Sequence, residues 1–155
     1  MSDKSKPIVV AADHLGLPLK NFVRDYLVSL GYQVDDLGVN ENTPVDYPDV
    51  GLKLAEEVAA GKYDRAVLVC GSGAGAAVAA NKFKGIRAAT CHDIFSAHQC
   101  VEDDDCNVLC LGARVLGEEL AVEIVDRYLG ATFSGAERHR RRLAKVAAFE
   151  DRFGQ

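Results

Sequence analysis

RAVLVCGSGAGAAVAANK, residues 65–82, joins an apolar strand to a helix of small residues through a turn rich in glycine. The strand, 66–69, places Cys70 at the mouth of the turn. The backbone N–H groups that can converge there, unobstructed by bulky side chains, belong to Gly71, Ser72, Gly73, Ala74 and Gly75. Such a nest at a helix N-terminus binds an anion or stabilises a developing oxyanion. A neighbouring thiol can act as a base or nucleophile, so the stretch predicts an active site.

Strands alternate with helices on both sides of this stretch. Strands are predicted over 7–13, 32–38, 66–69, 85–91 and 107–112. Besides the short helix after the glycine turn, helices are predicted over 17–30, 50–60, 95–101, 118–129 and 136–149. This alternation predicts a three-layer α/β/α sandwich around a five-stranded parallel sheet, a Rossmann-like α/β fold. Because no repeat or linker interrupts the 155 residues, we expect one domain, 1–155.

Composition narrows the class of protein. A hydrophobic fraction of 48% suffices for a sizeable core, and a net charge of −5 argues against nucleic acid as a partner. Because neither a membrane-spanning apolar run nor a signal peptide is apparent, we expect a cytoplasmic protein without a membrane partner. The five cysteines are odd in number and form no C-x-x-C pair. That usage is typical of reduced proteins, and Cys91, Cys106 and Cys110 are expected to be buried.

Polar residues follow four of the predicted strands. In parallel α/β folds ligands bind beyond the carboxyl ends of the strands. The residues predicted at that edge are Asp13 and His14, the turn from Cys70 to Gly75, His92 and Asp93, and Ala113 and Arg114. An acid, imidazoles, a thiol and a guanidinium therefore gather at one rim, although Asp13 and His14 also fit a helix cap and an exposed imidazole.

Three other patterns have competing interpretations. Gly71 to Ala76 fits the dinucleotide fingerprint G-x-G-x-x-A, but too few strands follow for a second nucleotide-binding half. The acidic run 102–105 lacks a spaced His or Cys and is more typical of a solvated turn than of a metal site. The basic run 138–142 fits a solvated helix face. Arg138 and Arg142, one turn apart, also suit a phosphate clamp.

Taken in order, these pieces resemble the type B ribose-5-phosphate isomerases, a family that includes the galactose-6-phosphate isomerase subunits of lactose catabolism. The motifs are Ala12-Asp13-His14-x-Gly16, Asp46-Tyr47-Pro48, Cys70-Gly-Ser-Gly-x-Gly75, Ala80-Asn81-Lys82, Gly85-Ile-Arg87, Asn107-Val-Leu109, Gly112-x-Arg114 and Arg138-His-x-x-Arg142. The resemblance covers nearly the whole chain. It implies interconversion of an aldose phosphate and a ketose phosphate through a cis-enediolate, without a metal or organic cofactor.

The resemblance also implies roles for individual residues. Cys70 would be the base, the amides from Gly71 to Gly75 would hold the enediolate oxygens, and Ser72 would help move the hydroxyl proton. Asp13 would bind sugar hydroxyls. The phosphate ligands would be His14, Arg114, Arg138 and Arg142, and further substrate contacts would come from Tyr47 and Asp104. Family sites lie at a dimer interface, so we expect a homodimer, or a tetramer formed by two dimers, in which the partner subunit completes each pocket.

One position departs from the family pattern. The family usually has a histidine that opens the furanose ring, followed by Asn or Asp, where this chain has Asp103 and Asp104. A carboxylate is a poor proton donor at neutral pH. Either Asp103 still serves, or His98 or His92 substitutes, or the substrate needs no ring opening. A tetrose 4-phosphate cannot form a five-membered ring, because its terminal oxygen is esterified.

We therefore expect an isomerase of ribose 5-phosphate and ribulose 5-phosphate, in pentose phosphate metabolism. An isomerase of a tetrose 4-phosphate or of galactose 6-phosphate is the alternative within the family. A non-catalytic module that binds a nucleotide or sugar phosphate is the alternative outside it.

Overall fold

The computed structural model describes residues 4–154 as a parallel sheet with helices on both faces. The five strands are β1 (Ile8–Ala12), β2 (Val34–Asp36), β3 (Ala66–Cys70), β4 (Ala88–Thr90) and β5 (Val108–Gly112). The six helices are α1 (Leu17–Ser29), α2 (Tyr47–Ala59), α3 (Ala74–Ala80), α4 (Ile94–Asp104), α5 (Glu118–Gly130) and α6 (Glu137–Phe153). The predicted α/β/α sandwich with five parallel strands is confirmed.

The two faces of the sheet carry separate apolar clusters. One cluster packs α1, α4 and α5 against one face, through side chains such as Val23, Val101 and Ile124. The other packs α2 and α3 against the opposite face, through Leu54 and Ala80. β1, β3 and β5 are buried along their whole length because both faces are covered.

The strand order β2-β1-β3-β5-β4 reverses direction between β1 and β3. The chain moves from β1 outward to β2, then returns through α2 to β3 on the other side of β1. The connections on the two sides leave a crevice beyond the carboxyl ends of β1 and β3, where α/β sheets bind ligands. Asp13 follows β1 and Cys70 ends β3, so this topology positions the predicted site.

Two helices differ from their predicted bounds for identifiable reasons. The helix predicted over 50–60 begins instead at Tyr47, because Pro48 lies in its first turn and Asp49 favours the positive end of the helix dipole. The helix predicted over 95–101 continues to Asp104. It begins after Asp93, whose carboxylate accepts the Ser96 N–H at 2.7 Å.

The extension of α4 corrects the interpretation of residues 102–105 as a solvated turn, because the acidic run forms the helix's last turn and C-cap. The strands predicted over 32–38 and 85–91 are shorter, three residues each. The final helix runs to Phe153, past the predicted end at residue 149. Among residues 4–154, no helix combines the length and apolar character needed to span a membrane.

Candidate active site

The Cys70 side chain lies inside the glycine turn. Its sulfur accepts a hydrogen bond from the Gly73 N–H at 3.1 Å, and the residue is only 5% exposed. Gly73 has φ 81° and adjoins β4 and β5, where a Cβ atom would lie 2.9 Å from Thr90 Cγ2. The turn can therefore close around the sulfur only with glycine at this position.

Neighbouring groups hold the turn in this conformation. Thr90 Oγ1 donates to the Gly73 carbonyl at 3.0 Å, and Ser72 Oγ accepts the Ala74 N–H at 3.3 Å. Gly112 lies against the turn so closely that a Cβ atom there would be 2.6 Å from the Ser72 carbonyl oxygen. Sequence reasoning did not assign Thr90 a role; its place at the carboxyl end of β4 was the available signal.

Asp13 and His14 lie at the next strand end. Asp13 is 5% exposed, its N–H donates to the Val69 carbonyl at 3.2 Å, and its Oδ1 accepts the Gly16 N–H at 3.0 Å. His14 Nδ1 accepts the Val45 N–H at 3.2 Å. In the neutral ring the proton therefore resides on Nε2, which is left as a hydrogen-bond donor. Val45 also lines a cavity of about 410 Å³ that runs along residues 38–45.

Tyr47 and Arg114 complete the group at this edge. The Tyr47 ring covers the start of α3, because a Cβ atom on Gly75 would lie 2.8 Å from its Cζ. The Arg114 N–H donates to the Gly71 carbonyl at 3.0 Å, and Arg114 Cδ lies 3.8 Å from the position of a Gly71 Cβ. One edge of the sheet thus holds the predicted site residues Asp13, His14, Tyr47, Cys70, Gly71, Ser72, Gly73, Gly75 and Arg114.

His92 also lies at this edge. Its Nε2 accepts the Gly112 N–H at 3.0 Å, so in the neutral ring the proton resides on Nδ1. The following residue, Asp93, caps α4, and the hydrogen bond from the Ser96 N–H holds the pKa of its carboxyl below the ordinary value. The imidazole and the capping carboxylate extend the polar rim toward β4.

The other predicted site residues lie on helices α4 and α6, and Asp103 and Asp104 are at the opposite edge, where the strands begin. We refer to His98, Asp103, Asp104, Arg138 and Arg142 as the α4–α6 group. Asp103 Oδ1 lies 3.4 Å from His139 Nε2 on α6, and its Oδ2 accepts from the Gln99 amide at 3.2 Å. The Asp104 side chain is exposed, and its carbonyl accepts from Arg87 Nε at 3.1 Å. His98 lies midway along α4, with Nε2 at 3.3 Å from Glu102 on the same helix.

Arg138 and Arg142 are exposed on α6. α6 packs on α4 near its start, and near its end it contacts the Gly85 loop, whose N–H donates to Glu150 Oε2 at 3.1 Å. Among residues 4–154, no hydrogen bond or ion pair joins the α4–α6 group to the Cys70 turn. A single chain therefore brings together nine of the fourteen predicted site residues and holds the other five apart from them.

Three other cysteines are buried in the core, away from the glycine turn. Cys91, Cys106 and Cys110 are buried, as predicted. Cys110 lies on β5, in the strand next to β3, and burial raises the pKa of its thiol, with a further contribution from Cys70 nearby. A thiol held protonated in the core is not available as a base.

A larger cavity of about 620 Å³ opens where the strands begin, among residues that include Lys6, Arg65 and Arg87. Its charges are largely paired, since Lys6 Nζ lies 2.7 Å from Asp64 and Arg87 lies 2.9 Å from Asp105. Among the described residues, no three His, Cys, Asp or Glu side chains are arranged to hold a metal ion. The conjunction of thiol, amide nest and convergent polar groups occurs at the Cys70 edge.

Known proteins resemble this chain in both sequence and fold. The ribose/galactose isomerase family matches residues 8–146. Ribose-5-phosphate isomerase B of Escherichia coli is 42% identical over 147 residues, which are 95% of this chain and 98% of that protein. The D-erythrulose-4-phosphate isomerase of Pectobacterium atrosepticum is 43% identical over 130 residues, 83% of this chain and 85% of that protein.

A solved structure gives the same result. The crystal structure of ribose-5-phosphate isomerase B from Mycoplasma genitalium with bound ribulose-5-phosphate is 38% identical and superposes with a TM-score of 0.90. The match covers 95% of this chain and 97% of that one. Fold, sequence and relatives together define an enzyme that isomerises sugar phosphates, between aldose and ketose. The chain belongs to the ribose/galactose isomerase family, the family of the type B ribose-5-phosphate isomerases, which confirms the resemblance drawn from the motifs.

Proposed function

We propose that the protein interconverts ribose 5-phosphate and ribulose 5-phosphate through a cis-enediolate, with Cys70 as the base. The observation that carries the proposal is the Cys70 sulfur, which receives the Gly73 N–H at 3.1 Å inside the glycine turn. This turn lies at the crevice between β1 and β3, where the topology favours a ligand.

The chemistry follows from those groups. The Cys70 thiolate removes the proton from C2 of the open-chain aldose, and the electron pair moves through the new C1–C2 double bond onto the carbonyl oxygen. The amides from Gly71 to Gly75 stabilise the negative charge that develops there. Ser72 Oγ passes the hydroxyl proton from O2 to O1, and the Cys70 thiol returns its proton to C1. The isomerisation neither adds nor removes atoms, and the backbone amides stabilise the enediolate without a cofactor.

Binding groups flank the reacting carbons. The buried Asp13 carboxylate, fixed by the Gly16 N–H, accepts hydrogen bonds from sugar hydroxyls. His14, through its free Nε2–H, and Arg114 bind the phosphate from the same chain. Charge-assisted contacts from Arg138 and Arg142 complete the phosphate site. Tyr47 covers the end of the crevice above Gly75.

In this proposal a second copy of the chain supplies the site residues that lie away from Cys70 within one subunit. The α4–α6 group lies apart from the Cys70 turn, so Asp104, Arg138 and Arg142 reach the crevice from a partner subunit. Exposed apolar side chains surround the Cys70 edge and suit burial in such an interface; they are Leu15, Tyr47, Ile94, Phe95 and Val115. The proposed assembly is a homodimer with the site at its interface, or a tetramer of two dimers.

A tetrose 4-phosphate is the second candidate substrate. Asp103 occupies the position of the family's ring-opening imidazole, and an open-chain tetrose phosphate needs no ring opening. One relative with 43% identity is named a D-erythrulose-4-phosphate isomerase. Within the family, galactose 6-phosphate is the third candidate, and no feature of residues 4–154 favours it.

A substrate panel tests the proposal. Ribose 5-phosphate, erythrose 4-phosphate and galactose 6-phosphate are each incubated with the purified protein in deuterium oxide. Isomerisation is expected for ribose 5-phosphate, with deuterium incorporated at C1 of the ribulose 5-phosphate formed and at C2 of the ribose 5-phosphate regenerated by the reverse reaction. Turnover of erythrose 4-phosphate alone would select the tetrose enzyme, and turnover of none of the three would refute the proposed substrates.

A further inference from the structure

His139 is the buried anchor of helix α6. It is 3% exposed, and it is the sole residue of α6 that is buried within the described chain. Its Nδ1 lies 2.6 Å from Ser134 Oγ, and its Nε2 lies 3.4 Å from Asp103 Oδ1 on α4. One imidazole therefore connects the start of α6 to the last turn of α4.

Ser134 fixes the same junction through the backbone. Its N–H donates to the Glu102 carbonyl at 2.9 Å, and its Oγ accepts the Ala136 N–H at 3.3 Å. The segment that enters α6 is thus tied to α4 immediately beside Asp103. We refer to Ser134, His139 and Asp103 together as the α6 latch.

The latch determines how α6 presents its arginines. Successive residues of an α-helix are rotated by about 100°. Arg138 precedes His139 by one residue and Arg142 follows it by three. Around the helix axis both arginines therefore lie within about 100° of His139, displaced from it in the same direction. Because His139 is fixed against α4, the rotation of α6 about its own axis is fixed. The directions of Arg138 and Arg142 are fixed with it.

The geometry of Asp103 suits this role better than proton transfer to a sugar. Oδ1 faces the His139 ring, and Oδ2 accepts from the Gln99 amide at 3.2 Å. Its side chain is 30% exposed. Both oxygens are thus engaged within the chain, and the carboxylate is directed at α6.

We propose that Asp103 is a positioning residue, which acts through His139 to hold the Arg138–Arg142 pair in the orientation that binds the substrate phosphate. The inference rests on the proposed function for the identity of the phosphate ligand, and it reassigns Asp103 from ring opening to phosphate positioning. A misplaced binding group weakens binding without altering the reacting atoms.

Three variants of the full chain test the inference. Asp103→Ala removes the contact to His139. Asp103→Asn keeps an oxygen at the same distance from His139 Nε2, while the Gln99 amide can turn to pair with the new NH₂ group. Glu102→Gln is the matched control. It removes a neighbouring carboxylate of α4 whose pair with His98 is half exposed, and its backbone contact to Ser134 is unchanged.

The measurements are KM and kcat for ribose 5-phosphate, and the dissociation constant of inorganic phosphate by calorimetry. We expect Asp103→Ala to raise KM and the phosphate dissociation constant together by about tenfold, with kcat changed by less than about twofold. Asp103→Asn should stay within about threefold of the parent, and Glu102→Gln should match it.

Other outcomes would overturn the inference. If kcat falls in both Asp103→Ala and Asp103→Asn while phosphate binding is unchanged, Asp103 transfers a proton. If circular dichroism shows that Asp103→Ala does not fold, Ser134→Ala is used instead, because it removes the Ser134 contact to His139. Ser134→Ala should raise the phosphate dissociation constant, and an unchanged constant would refute the latch. Phosphate calorimetry needs no turnover. If the parent protein is inactive, the proposed function fails, but the phosphate dissociation constants of the variants still test the latch.

Discussion

The backbone N–H of Gly73 points at the Cys70 sulfur across 3.1 Å, and both residues are almost completely buried in the fold. This contact fixes the sulfur to the turn, while the side chain also packs in the apolar cluster between the sheet and helices α2 and α3. A base and an oxyanion site that share one rigid turn need little reorganisation during proton transfer.

Replacing Cys70 with alanine should abolish most turnover while leaving the fold and substrate binding intact. The change removes the base together with the acceptor of the Gly73 N–H, and the smaller alanine side chain fits within the space that the buried cysteine occupies. We expect kcat to fall by about a hundredfold or more, measured with the preferred sugar phosphate.

Cys91→Ala is the matched control, because Cys91 is also a buried cysteine but lies beyond the end of β4 in the opposite apolar cluster. Its turnover should remain near that of the parent. Near-native turnover in Cys70→Ala, or equal losses in both variants, would show that Cys70 is not the base.

The contact between Gly112 and the Ser72 carbonyl predicts a second, purely steric effect. A methyl group on Gly112 would lie 2.6 Å from that oxygen, and backbone cannot move aside as a flexible side chain can. Gly112→Ala should displace the turn and lower kcat by about a hundredfold, since small misplacements of catalytic groups are costly.

Gly117→Ala provides the control for Gly112→Ala, because no atom outside its immediate neighbours lies within 4 Å of a Cβ there. It should leave kcat unchanged. Similar activities for the two alanine variants would mean that the turn tolerates displacement and that its geometry is not the source of rate.

The core of the site was predictable because it is local in sequence. Strand, Cys70, glycine turn and helix are contiguous, so their chemistry follows from residue order alone. The helix predicted from residue 50 begins three residues earlier, at Tyr47, because proline is favourable in a helix's first turn. The relation of Asp103 to His139 was not predictable, because it depends on where α6 packs after a loop of irregular conformation.

The phosphate clamp predicts a contrast between two arginines of α6. Arg142 lies one turn from Arg138 on the same face, whereas Arg140 is rotated away from that face. Arg142→Ala should raise KM by roughly tenfold or more, as expected for losing one charge-assisted contact worth about 1.5–3 kcal/mol. Arg140→Ala should leave KM within about twofold. Equal effects in the two variants would indicate a diffuse basic surface instead of a clamp.

A buried ion pair under α1 predicts how stability changes in acid. Burial alone would raise the pKa of Asp36, but hydrogen bonds from Lys20 at 2.8 Å, from the Gly38 N–H and from Arg24 hold it below its ordinary value. A carboxyl whose pKa is lower in the folded state contributes stability above its unfolded pKa, about 3.9. That contribution is lost as the pH falls through the lower, folded value.

Asp36→Asn should therefore lower the free energy of unfolding at pH 7 by about 3 kcal/mol or more, because Lys20 has no exposed surface and loses its counter-charge. Urea unfolding at pH 7 and pH 3 measures both effects, and the deficit of the variant should shrink at pH 3. Asp64→Asn, which breaks an exposed pair with Lys6, should cost less than about 1 kcal/mol. A deficit of Asp36→Asn that is equal at the two pH values would contradict the assignment.

The last prediction separates ring opening from phosphate binding at position 103. Ribose 5-phosphate is mostly a closed furanose, so its isomerisation requires a proton delivered to the ring oxygen. Erythrose 4-phosphate cannot close a five-membered ring, yet it carries the same terminal phosphate. The ratio of kcat/KM for ribose 5-phosphate to kcat/KM for erythrose 4-phosphate therefore cancels any change in phosphate binding and reports ring opening alone.

Asp103→His, which introduces an imidazole, should raise this ratio even if loosening of the α6 latch lowers both constants, because imidazole is an effective general acid near neutral pH. Asp103→Asn should leave the ratio unchanged, since neither carboxylate nor amide delivers a proton. If His98 supplies the proton in the parent protein, His98→Ala should lower the ratio. A ratio that stays constant in all three variants would show that position 103 and His98 take no part in opening the ring.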